Sequence, residues 1–186
     1  APPAELWEIR PAEKRFGYFL RRFAFYGAAP LMSWTVYPLV QVDRLHLSYS
    51  QLGLLGLSQS LCWLLGYLIW GRLVDLYGGV WVFRANILIA LLVPFSYIWA
   101  QNGLMLLPAF MAQGIVNAGW DMGLITAGIQ LADRERVTEY AAVQGTVVGI
   151  RGMIVPYVSV LLLALGVPIT GIFVLSMVLM VISWVM

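Results

Sequence analysis

Apolar runs of bilayer length alternate with short polar breaks along nearly the whole chain. A helix needs about 20 apolar residues to cross a bilayer. By that measure the breaks divide residues 16–186 into six spans, at about 16–40, 51–70, 80–100, 104–131, 138–165 and 167–186. Residues 1–15, with Pro2, Pro3 and Pro11, read as a polar linker or interfacial arm. Within the spans, Pro30, Pro38 and Pro156 each remove a helix hydrogen bond and can bend the helix. Between them, Ser48 or Ser50 can cap the second span, Gln101-Asn102-Gly103 reads as a tight turn, and Asp133-Arg134-Glu135-Arg136 reads as a charged loop. The pattern predicts an all-α fold, a six-helix bundle of an integral membrane protein.

Composition supports that reading and narrows the chemistry. The chain is 61% hydrophobic and 11% charged, where a soluble domain carries about 25% charged residues. Cys62 is the sole cysteine, so no disulfide framework exists, and its apolar surroundings suggest packing. No secretory leader pattern opens the chain. The chain starts at Ala1 and its last apolar run continues to Met186, so a longer protein is expected. The sequence has no metal-ligand cluster, no phosphate-binding glycine loop and no nucleophile with a base partner. Enzyme chemistry, a cofactor and nucleic-acid binding therefore have no support. His46, the one histidine, reads as a solvated loop residue.

Basic residues set an expected orientation, because cytoplasmic loops carry the excess of Lys and Arg. Arg10, Lys14, Arg15, Arg21, Arg22, Arg72, Arg84, Arg134 and Arg136 fall on one side, and Arg44 alone on the other. The first side is read as cytoplasmic, which puts both termini inside.

The stretch Gly71-Arg72-Leu73-Val74-Asp75-Leu76-Tyr77-Gly78-Gly79 packs a charged pair and three glycines between two apolar runs. It reads as a tight loop in which glycine supplies positive φ, with Asp75 marking the water boundary. It resembles the signature loop of the major facilitator superfamily, of the form G-x-L-a-D-r-x-G-r-k. Gly71, Leu73, Asp75 and Gly78 match in identity and spacing; Leu76, Gly79 and Val80 depart where basic residues are usual. Leu47-Ser48-Tyr49-Ser50-Gln51-Leu52-Gly53 is similar to the family phrase that links the first two helices of a half. The resemblance implies half of a twelve-helix transporter that works by alternating access. The weakened signature loop and the polar arm point to the C-terminal half. It further implies a small-molecule substrate, a plasma-membrane location of the bacterial inner-membrane type, and a second six-helix half, upstream in the same chain or in a homodimer. Gly71, Arg72, Asp75 and Gly78 would form a cytoplasmic latch. The alternative is a non-transporting subunit that scaffolds a larger membrane complex.

Polar residues inside spans are costly and mark candidate sites. Gln113, Asn117 and Asp121 recur every four residues in span four, on one helical face. Gln144 and Arg151 share a face of span five. Counted from their common loop at 1.5 Å per residue, Asp121 and Arg151 lie roughly 15 and 18 Å deep. The expectation is that they meet, either as a cavity-lining pair that binds a charged substrate group or relays a proton, or as a structural ion pair. Trp34, Gln59 and Trp120 are weaker cavity candidates, with packing the competing reading for each indole, as for Trp63. Trp70, Trp81, Trp99 and Trp184 are placed at the membrane interface. Gly119, Gly123 and Ala127, and again Gly145 and Gly149, form small-residue stripes for close helix packing.

Overall fold

The computed structural model describes residues 11–131 and 137–185, and gives only the backbone of residues 11–16, 19, 124, 125, 127–131, 137, 139 and 140. Seven α-helices follow in order: α1 Pro11–Pro38, α2 Tyr49–Tyr77, α3 Gly79–Ala90, α4 Leu92–Trp99, α5 Leu107–Leu131, α6 Val137–Ala164 and α7 Ile169–Val185. Helices α3 and α4 are one span with a break at Leu91. The break has a chemical cause: Pro94 has no N–H to give the carbonyl of Ala90. The described elements are all helical, and together they form a six-helix membrane bundle. Among the described residues, three stretches are long and apolar enough to cross a bilayer: Tyr49–Tyr77, Gly79–Trp99 and Ala141–Ala164.

Helix ends depart from the expected boundaries for physical reasons. Helix α1 starts at Pro11, inside the segment read as an arm; proline suits a first turn, where its missing N–H is not needed. The rest of that arm and the Asp133–Arg136 loop lie outside the described residues. After Pro38 the chain tightens into a π-helical turn, Leu39–Arg44, where a plain loop was expected. Ser48 caps α2 with a full capping box: its side chain accepts from the Gln51 N–H while the Gln51 side chain accepts from the Ser48 N–H. Asn102 caps a 3₁₀ turn, Gly103–Leu106, by accepting from the Met105 N–H at 3.1 Å.

Helix α5 runs beside α2 and α3, and α1 runs beside α6 and α7. The α5 contacts are close because glycines face backbone. A Cβ on Gly114 would overlap the carbonyl of Gln59, and one on Gly66 would lie 2.8 Å from the Ala118 Cβ. Gly119 abuts Asn86 and Trp70, and Gly123 abuts Phe83. The stripe expected on α5 is thus a packing surface, although the Ala127 side chain lies outside the described residues. The stripe expected on α6 is not a packing surface among the described residues: around Gly145 and Gly149 none of them lies within 4 Å of a built Cβ. Buried polar groups tie the spans together. The Trp70 indole donates to the Ile115 carbonyl at 2.9 Å, and the Asn86 amide to the Val116 carbonyl at 3.0 Å. Ser176 and Ser183 of α7 donate to the carbonyls of Ala29 and Arg22 on α1. Trp70 is therefore a core residue, 3% exposed, and not the interfacial anchor that its place near a span end suggested.

Candidate functional site

A cavity of about 270 Å³ opens between α1, α5 and α6. Tyr26, Gly27, Pro30, Leu31 and Trp34 line it from α1, Gln113, Val116, Asn117 and Trp120 from α5, and Val148, Arg151 and Gly152 from α6. A second, smaller cavity of about 130 Å³ shares Trp34 and Gln113 with it and reaches Gln41, Gln59 and Tyr97. Gln113, Asn117, Arg151, Trp34, Trp120 and Gln59 are thus cavity-lining residues. Gln113 donates to the Asn117 side-chain oxygen at 2.8 Å, which orients the two amides on the cavity wall.

Asp121 and Arg151 are not partners. Asp121 accepts from the hydroxyl of Tyr67 on α2 at 2.6 Å. Arg151 turns to α1: its Nη1 donates to the Phe23 carbonyl at 2.9 Å, and its guanidinium lies 4.5 Å from the Phe23 ring centre and 5.1 Å from that of Trp120. Equal depth fixes a position along the axis and leaves the azimuth open. Eight residues of α-helix rotate a side chain by about 80° relative to its starting direction. Asp121 therefore drifts off the Gln113 face toward α2. Neighbours in sequence also mislead here, because α5 packs on α2 and α3 while α6 packs on α1.

The Arg151 guanidinium occupies space left by Gly27, where any Cβ would overlap it. Its Nε is buried and has no hydrogen-bond acceptor among the described residues. Gln144 does not line the cavity, and its Nε2 is likewise buried without an acceptor among the described residues. Tyr67, Gly27 and Phe23 were not singled out in the sequence. Tyr67 carried a usable signal, a phenol in mid-span four residues from Trp63. Gly27 and Phe23 carried none, since their roles depend on what α6 delivers.

The latch stretch sits away from this cavity. Helix α2 continues to Tyr77, so Gly71, Arg72 and Asp75 are helical, and the turn is a single residue, Gly78, with φ 82°. The expected loop was drawn at a polarity boundary, but Arg72 and Asp75 do not break a helix. Both are exposed on its last turns.

A search of curated proteins found no match. A family model described as Major Facilitator Superfamily matches residues 16–186. With a helical membrane bundle, the signature stretch between α2 and α3 and that match in agreement, the chain belongs to the Major Facilitator Superfamily, whose members are transporters.

Proposed function

We propose that the protein moves a small solute across the bilayer by secondary active transport and alternating access, with the cavity between α1, α5 and α6 as the solute's site. The supporting observation is that cavity: amide, indole and guanidinium groups converge on a space inside the spans, where polar side chains cost free energy unless they serve a ligand or a partner. A second six-helix half, upstream or in a homodimer, would complete the translocation path. Asp75, Arg72, Gly71 and Gly78 would form the cytoplasmic latch against it. Both termini would face the cytoplasm, at a bacterial inner membrane.

The test is accessibility from both sides. In a Cys62→Ser background, Asn117→Cys is expected to react with a membrane-impermeant thiol reagent added to either face of the membrane. Reaction from one face only would end the alternating-access reading. Orientation is checked separately: Asn102→Cys labels from outside and Asp75→Cys from inside, and the reverse pattern inverts the topology.

A further inference from the structure

Arg151 is a cation in mid-span that the described residues leave without a counter-charge. Its one hydrogen bond among the described residues goes to a neutral carbonyl, that of Phe23. The only carboxylate on the cavity helices among the residues with described side chains, Asp121, is engaged by Tyr67 on the far side of α5. The guanidinium stays in place by stacking on Phe23 and Trp120 and by filling the space over Gly27. Nη1 is used, Nε is buried without an acceptor, and Nη2 has no acceptor among the described residues. Of the two unused nitrogens Nη2 is the one that keeps accessible surface, and it offers a charge-assisted donor to a carboxylate.

We infer that the solute is a small organic anion, a carboxylate with an apolar or aromatic body, and that Arg151 takes its charge. This rests on the transport reading above. The carboxylate would pair with Arg151 and the amide of Asn117, and the body would lie along Trp34 and Trp120, which line the same cavity. Size agrees: about 270 Å³ is roughly nine times the 30 Å³ that a water occupies in the liquid. That is room for a body of one ring. Aromatic walls disfavour a compact, fully hydrated inorganic ion, which would lose its water shell with little to replace it.

Matched probes test the charge directly. Calorimetric titration of the full chain in detergent is expected to show saturable binding of benzoate or phenylacetate, with the corresponding amides at least tenfold weaker. This comparison needs no variant. Arg151→Lys keeps the charge and loses the planar guanidinium that stacks on Phe23 and Trp120, and is expected to weaken benzoate about tenfold; Arg151→Gln is expected to abolish it. Equal binding of acid and amide, no binding of either acid, unchanged binding by Arg151→Gln, or tighter binding of inorganic phosphate would each overturn the inference. One-sided labelling of Asn117→Cys, with the unsubstituted chain still binding benzoate and Arg151→Gln losing it, would instead defeat the transport reading and leave the anion site standing.

Discussion

Helix α5 has two faces that differ in almost every respect. Toward α2 and α3 it is packed backbone to backbone. Gly114 meets Gln59 and Trp63, Gly119 meets Asn86 and Trp70, and buried donors close on the carbonyls of Ile115 and Val116. Toward α1 and α6 the same helix presents Gln113, Asn117 and Trp120 to an open space, across which Arg151 keeps unspent donors. With the cavity as the proposed solute site, the contrast suggests a division of labour: hydrogen bonding and close contact are concentrated on one side of the helix, so that the other side can carry unsatisfied polar groups. It also shows that glycine has no fixed meaning. On α5 it lets backbones meet; at Gly145 and Gly149 of α6 it meets none of the described residues.

Substitutions can break this contrast. The largest effect is expected at Gly114→Ala, where the new Cβ would overlap the Gln59 carbonyl and lie 2.8 Å from the Trp63 N. Backbone cannot step aside as a side chain can, so the loss should be about 3 kcal/mol, the upper end for overpacking, seen as a lower thermal midpoint in detergent. Next comes Asn86→Leu. Asn86 is fully buried and holds the Val116 carbonyl, and its loss should cost about 2 kcal/mol; an unchanged midpoint would show that α3 and α5 are held by shape alone. On the open face the sign reverses. Gly149→Ala should stabilise by about 0.5–1 kcal/mol, the usual gain of alanine over glycine within a helix. If it destabilises as Gly114→Ala does, another body covers that face of α6. The smallest effect is a coupling. Asp121→Asn and Arg151→Gln should add to within about 0.5 kcal/mol, as independent sites do, and partial recovery in the double variant would mean that the two charges do sense each other.

Much of the fold was legible in the sequence because hydropathy and capping are local. Span length follows from runs of apolar residues, and Ser48 with Gln51 announces a helix start three residues in advance. The site was half legible for the same reason. That Asn117, Gln113 and Arg151 are worth attention follows from their cost in a membrane. What they face does not, because azimuth depends on which helices pack together, and that is decided by contacts far apart in the chain such as Gly66 against Ala118. Trp70 is a parallel case. Nearness to a span end suggested the interface, while the helix ran on by seven residues to Tyr77 and carried the indole into the core. Arg44, read only as the lone basic residue of its side, closes the C-terminus of α4 by donating to the Tyr97 and Ala100 carbonyls at 2.6 and 2.9 Å. No local pattern announces that clamp.

The turn at Gly78 has a mechanical consequence. One residue joins α2 to α3, and successive α-carbons stand about 3.8 Å apart, so the joint holds almost no slack. Neither helix can slide along its axis by a full turn, about 5.4 Å, without dragging the other. A push on the exposed last turns of α2, where Arg72 and Asp75 sit, is therefore handed to α3 undamped, and through Asn86 to the middle of α5. The joint behaves as a stiff linkage, and lengthening it by a few flexible residues would uncouple the membrane surface from the cavity wall while leaving each helix intact.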